Sequence, residues 1–120
     1  MDKYLEWSDA DVYCSDTYGG HLAKVTSEAL NIYLEHLSNP DGGVGTEARV
    51  VWIGGNDLVV EGDWRWVSDN SVMTFTNWWP HEPENQGGIE HCAFMATRFS
   101  EMKWGDITCK GQYHSFFCQW

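Results

Sequence analysis

Glu82, Glu84 and Glu90 fall within nine residues of one another, and no Lys or Arg stands near them. From Trp66 to Thr97 there is no Lys or Arg at all, and Asp69 adds a fourth carboxylate to the stretch. Like charges at that spacing repel. A solvated loop tolerates this at small cost, and a hard cation removes it. Ca²⁺ takes about 6–8 oxygen ligands from carboxylates, amides and backbone carbonyls. Pro83, between Glu82 and Glu84, fits such a site, because a cis peptide before it would aim both side chains at one point. Asp106 after Trp104-Gly105, and Asp57 with Glu61, are further oxygen donors in glycine-containing segments. His81 and His91 flank the cluster and read as surface residues, since Ca²⁺ prefers oxygen. Glu82 and Glu84 could also stand at the roughly 5–9 Å that a glycosidase pair needs. Nothing in the sequence supplies the raised pKa or the cleft for that chemistry, so no enzyme is expected.

The elements that position these groups read as one small domain, residues 1–120. Lys and Arg number 7 against 18 Asp and Glu, a net charge of −11 that excludes phosphate-rich partners such as nucleic acid or an anionic membrane. No apolar run approaches the roughly 18 residues of a spanning helix, so membrane insertion is not expected. The start, Met1-Asp2-Lys3-Tyr4, lacks the apolar core of a signal peptide. Either the chain is cytosolic or it is a mature domain carrying an added Met. Four cysteines, Cys14, Cys92, Cys109 and Cys118, make no CxxC pair and suit two disulfides, which favours an oxidising, secreted setting. Spacing alone leaves three pairings open.

Ser8 with Asp11 resembles a capping box, and apolar residues then recur with helical spacing as far as Gly19-Gly20. Leu22-Ala23-Lys24-Val25 is a short strand candidate. Thr26 or Ser27 caps a second helix with Leu30, Tyr33, Leu34 and Leu37 as its apolar stripe, ended by the turn formers of residues 39–43. Val50-Val51-Trp52-Ile53 is a buried strand, broken by Gly54-Gly55-Asn56-Asp57. Asp63–Val67 alternates as a strand does. The stretch from Thr74 to Glu90 is a long loop without periodicity. Cys92–Met95 and Ser115–Cys118 read as the final core strands. Two helices followed by strands give an α+β domain. Trp52, Trp66, Trp78 and Trp104 are expected in the core; Trp79, which must point away from its neighbour, is expected at the surface.

Taken together, these segments resemble the C-type lectin-like domain along essentially the whole chain. Trp52-Ile53-Gly54-Gly55 is similar to that family's core strand motif. Glu82-Pro83-Glu84 stands where it carries Glu-Pro-Asn, and Trp104-Gly105-Asp106 where it carries Trp-Asn-Asp. Gly87-Gly88-Ile89-Glu90-His91-Cys92 looks most like secreted invertebrate lectins of the perlucin type. The resemblance implies two helices, antiparallel sheets, a long loop region, and the disulfides Cys14–Cys118 and Cys92–Cys109. It implies a primary Ca²⁺ and sugar site at Glu82, Glu84, Glu90 and Asp106, and an auxiliary Ca²⁺ site at Asp57, Glu61, Asn85 and Glu90. The chain departs from the family where Glu84 and Gly105 replace two asparagines and His91 replaces a common acidic residue.

An amide both donates and accepts; an ionised carboxylate only accepts. Both expected amide donors to the sugar are therefore missing. His81, Gln86, Lys103 and Arg98 are the nearest other donors in sequence. The expected ligand is a glycan that brings its own donor, an acetamido or amino sugar. The competing expectation is a calcium-independent module for a protein or mineral ligand. A homo-oligomer would give weak single sites their avidity.

Overall fold

The computed structural model describes residues 4–38, 50–83, 86–98 and 101–119. Helix α1 spans Trp7–Tyr18 and stops at the expected glycine, with Gly19 left-handed at φ 69° and its N–H on the Ser15 carbonyl at 3.0 Å. Its start differs from a capping box, since Glu6 is the N-cap and makes no side-chain cap bond. Asp11 is engaged elsewhere: it accepts the Leu22 N–H at 3.0 Å and lies 3.3 Å from His21 Nδ1, which ties α1 to the short strand β1, His21–Leu22. Helix α2, Glu28–Ser38, is capped as expected, with Ser27 Oγ accepting the Leu30 N–H at 3.1 Å. Its apolar stripe is narrower than expected. Leu34 is buried and Leu30 packs on the core, but Tyr33 and Leu37 face outward. Asn31 takes the inward place instead, accepting from Trp104 Nε1 at 2.8 Å and donating to the Met102 carbonyl at 3.2 Å. A buried amide is tolerated when both of its ends are satisfied. The expected stop at residues 39–43 lies outside the described residues.

The main sheet has the order β3-β2-β4-β5, from Arg65–Trp66, Val50–Asn56, Cys92–Arg98 and Glu101–Ile107. Along that path the pairs are antiparallel; β6, Ser115–Phe116, joins β2 in parallel at Val51 and Trp52. Strand β7, Cys118–Gln119, pairs with β1. The strands expected at Leu22–Val25 and Asp63–Val67 are shorter, reduced to β1 and β3, and two further results differ from the expected elements. Strand β2 runs through Gly54-Gly55 instead of breaking there. A Cβ on Gly54 would stand 3.0 Å from the Leu22 carbonyl, and one on Gly55 would strike the Met73 methyl, so the glycines serve close approach. Strand β5 was not expected at all, yet it pairs with β4 residue for residue from Cys92↔Ile107 to Arg98↔Glu101. Met102, Trp104 and Asp106 are its buried side chains, two apart, and Gly105 between the last two is buried as well.

Trp52, Trp66 and Trp104 are fully buried, and Trp78 packs edge-on against Trp104 and Trp64 at the core's margin. Trp79 is only half-buried, with the Lys103 ammonium 5.9 Å over its ring. The two disulfides are Cys14–Cys118 and Cys92–Cys109, and the described residues include no free cysteine. The fold is that of a two-helix α+β domain with antiparallel sheets and a long loop region. No helix among the described residues is long and apolar enough to cross a membrane.

Candidate functional site

Strand β5 ends the sheet, so one of its edges has no strand neighbour. The long loop covers that edge. Trp104 N–H donates to the Asn77 carbonyl at 2.8 Å, and the Trp104 carbonyl accepts the Trp79 N–H at 2.8 Å. Asn77 Nδ2 also donates to the Met102 carbonyl at 3.1 Å. Two residues further along β5 the next outward N–H, that of Asp106, donates to Glu82 Oε1 at 3.2 Å. Loop residues 77–82 thus form a strap whose last bond delivers Glu82 to Asp106. The strap turns where Glu82 N–H meets the Trp79 carbonyl at 2.9 Å, with His81 exposed at φ 71°. The Glu82–Pro83 peptide is cis.

Glycine at 105 is part of this arrangement. Its partner across the pair is Phe94, and a Cβ on Gly105 would stand 2.6 Å from Phe94 Cζ and 3.4 Å from Glu82 Oε1. The ring covers the position where a side chain on residue 105 would sit. The amide absent from the sequence is therefore also absent in space, replaced by an aromatic edge beside Glu82.

The second group lies where β2 ends and β4 begins. Asn56 pairs with Cys92, so Asp57 and His91 sit next to each other, and Asp57 N–H donates to the His91 carbonyl at 3.0 Å. The Asp57 side chain has no exposed surface. Its Oδ2 accepts the Gly62 N–H at 2.9 Å and its Oδ1 lies 2.9 Å from His91 Nδ1. Glu61 Oε1 stands 3.3 Å from the same nitrogen. Partial desolvation, and then the Asp57 carboxylate beside it, push the Glu61 carboxyl up from its ordinary value; His91 opposes this and Asp106 adds to it. Cys92 pairs with Asn56 on one side and Ile107 on the other, so the two carboxylate groups share one end of the sheet.

Of the expected site residues, strand register and hydrogen bonds put Asp57, Glu61, Glu82 and Asp106 at this end. Asp106 is buried at 3% exposure, Glu82 and Glu90 are half-buried, and Glu90 directly precedes His91. Among the described residues, Asp57, Glu61 and His91 are the group of three whose ligand atoms lie within 4.8 Å of one another. Glu84 and Asn85 lie outside the described residues. Gln86 opens a short 3₁₀ turn, Gln86–Gly88. Two expectations change. Asp69 leaves the carboxylate cluster, because Lys24 Nζ binds it at 2.6 Å and Ser71 caps it, which holds its carboxyl well below the usual range. His91 is no bystander at the surface, being 28% exposed and bonded to Asp57. Its place follows from the Asn56↔Cys92 register, which local sequence does not display.

Residues 3–120 match the family model described as Lectin C-type domain. The chain is 35% identical over 114 residues to the galactose-specific lectin nattectin of Thalassophryne nattereri, covering 95% of this chain and 67% of that protein. It is 32% identical over 113 residues to perlucin of Haliotis laevigata, covering 94% of this chain and 68% of perlucin. Among solved structures, the C-type lectin CEL-I from Cucumaria echinata superposes with a TM-score of 0.83 at 22% identity, over 98% of this chain and 84% of that one, a likeness of fold. A calcium-independent type II antifreeze protein superposes with a TM-score of 0.75 at 28% identity, over 97% of this chain and 78% of that one.

Proposed function

The chain belongs to the lectin C-type domain family, and from that premise we propose that it is a secreted, calcium-associated carbohydrate-binding domain with an altered sugar site. The family model it matches and the lectin among its relatives support binding without turnover. The observation that supports the reading most directly is the bond from Asp106 N–H to Glu82 Oε1, which joins the two altered motifs at the end of β5. Glu82, Glu90 and Asp106, with Glu84 beside them in sequence, are an all-oxygen donor set of the kind Ca²⁺ takes. When bound, the ion would supply a coordination point for two sugar hydroxyls.

The residues around that point set the ligand class. Carboxylates accept hydrogen bonds and cannot donate them. Phe94 fills the place of one expected amide. Of the remaining donors, His81 is exposed on the turn before Glu82, and Gln86 opens the 3₁₀ turn that follows. A sugar carrying an acetamido N–H or an ammonium brings the donor that is missing here. The named specificity of nattectin, galactose, gives a second sugar to try. Two disulfides suit an extracellular setting.

The test is a calorimetric Ca²⁺ titration of chelator-stripped protein, followed by a glycan array read with Ca²⁺ and with chelator. Binding of amino or acetamido glycans that chelator and Glu82→Gln both abolish is the expected result. Glycan binding undiminished by chelator would sink it. A second reading has one observation in its favour. The Phe94 edge beside Glu82, together with the fold shared by a calcium-independent antifreeze protein, suits a binder of protein or mineral surface that needs no ion. Absence of Ca²⁺ heat, with a melt unmoved by chelator, would select it.

A further inference from the structure

We propose that the open cavity beside the small β1–β7 sheet binds a neutral saccharide without a metal, at a site separate from the carboxylate end. The cavity holds about 500 Å³, within the roughly 300–1,000 Å³ of small-molecule sites. Gly19 and Gly20 at the end of α1, His21 of β1 with Lys24 and Thr26 after it, Ser68 beyond β3, and Gln119 of β7 wall it. None of these residues belongs to the set around Glu82 and Asp106. A Cβ on Gly19 would meet nothing within 4 Å, so the helix ends at open space.

The walls are held before any ligand arrives. Strand β1 pairs with β7 at His21↔Gln119 and Leu22↔Cys118, and the Cys14–Cys118 disulfide ties α1 to the same strand. Lys24 Nζ binds Asp69 at 2.6 Å, and Asp69 in turn accepts from Ser71, which fixes the turn after β3. A site already shaped loses less ordering entropy on binding.

The polar groups set the ligand class. The Gln119 side-chain oxygen accepts the Lys24 backbone N–H at 2.7 Å, which orients the amide and leaves its NH₂ as a donor. His21 Nδ1 lies 3.3 Å from Asp11; with the proton on that nitrogen, Nε2 is an acceptor. The Ser68 and Thr26 hydroxyls both donate and accept, and neither bonds to another described residue. The basic side chains of the wall are already matched, Lys24 by Asp69 and His21 by Asp11. An anion would have to displace one of those carboxylates in a chain of net charge −11, and a cation would stand beside Lys24. A sugar hydroxyl is uncharged and donates and accepts at once, so it meets this mixture of groups. The Glu82 end is the reverse, rich in acceptors and poor in donors.

This site is independent of the calcium reading, because chelator silences one and leaves the other. The experiment is a titration of the nitrogen-labelled full chain with galactose and with maltose in EDTA, followed by amide NMR shifts. The Gly19 and Gly20 amides and the Gln119 side-chain NH₂ should move together and saturate, equally in wild type and Glu82→Gln. The double variant Thr26→Val/Ser68→Ala keeps the walls and removes both hydroxyls; it should weaken binding about tenfold, as the loss of such hydrogen bonds does. Ser68→Tyr, with its fold checked by melting, should fill the cavity and abolish the shifts. Absence of saturable shifts with both sugars overturns the proposal. So do shifts centred on the residues around Glu82, or affinity unchanged in the double variant. Galacturonate bound more tightly than galactose overturns the neutral class. Absence of Ca²⁺ heat with these shifts intact would defeat the calcium reading and uphold this one.

Discussion

The packed base of the molecule and its carboxylate end treat polar groups in opposite ways. At the base, inward-pointing donors find a neutral acceptor. Trp7 Nε1 donates to the Ile53 carbonyl at 2.9 Å, Trp52 Nε1 to the Leu5 carbonyl at 2.8 Å, and Trp104 Nε1 to Asn31 at 2.8 Å. At the other end Asp57 is buried with Glu61 facing it, and Glu82 meets Asp106 through a backbone N–H. The base gains stability from satisfied bonds. The carboxylate end keeps negative charges close together, where a cation lowers their cost. Stability and ligand binding are thus assigned to different parts of one sheet, and variants should separate them.

The largest effect belongs to the base. Removing the Cys14–Cys118 bridge as Cys14→Ser/Cys118→Ser frees a loop spanning 104 residues. A loss of about 4–5 kcal/mol is expected in chemical denaturation. Next, Asn31→Ala strands Trp104 Nε1 inside the core, while the Met102 carbonyl keeps the Asn77 amide. It should cost about 1–3 kcal/mol, the penalty of one orphaned buried donor, and leave Ca²⁺ affinity within error of wild type. If Asn31→Ala weakened metal binding as much as it weakened folding, the division between the two regions would be lost.

The carboxylate end sharpens the contrast. Saturating Ca²⁺ should raise the melting temperature of the wild type, by about 2.7 kcal/mol of stability at a hundredfold excess over Kd. Glu82→Gln should remove that rise while leaving the chelated protein close to wild type. Gly105→Asn drives a side chain into Phe94, an overpacking worth about 1–3 kcal/mol. Phe94→Leu in the same chain should recover part of it. Full stability in Gly105→Asn alone would show that the ring yields freely. The smallest effect is one of pH. Burial lowers the His114 imidazole below its ordinary 6.5, beside Trp52 and Leu5. A group depressed in the folded state adds stability above its unfolded value, and that stability is lost as pH falls. Melts followed from neutral pH down past 6.5 should decline, and His114→Gln should flatten the decline.

What could be read from the chain depended on how far the controlling interaction reached. The Gly19 stop and the Ser27 cap are local signals, and they hold. Strand β5 escaped notice because Glu101, Lys103, Gly105 and Asp106 make it look polar. Its buried side chains, Met102, Trp104 and Asp106, alternate as a strand's should, but the last is an acid. Asn31 displaced Tyr33 and Leu37 from the inner face of α2 because Trp104, 73 residues away, needed an acceptor. His91 met Asp57 through strand register, and Asp69 was claimed by Lys24 from another part of the chain. In each of these the deciding partner was remote in sequence.

The strap of residues 77–82 has one more consequence. It occupies the outward N–H and carbonyl of Trp104 and the outward N–H of Asp106 on a seven-residue terminal strand. A bare strand edge is a template on which a second chain can stack. The segment that presents Glu82 to a ligand is therefore also the guard against fibril-like growth. Conditions that pull Glu82 away from Asp106 should reveal themselves first in light scattering, as particles growing in a solution whose cores are still folded.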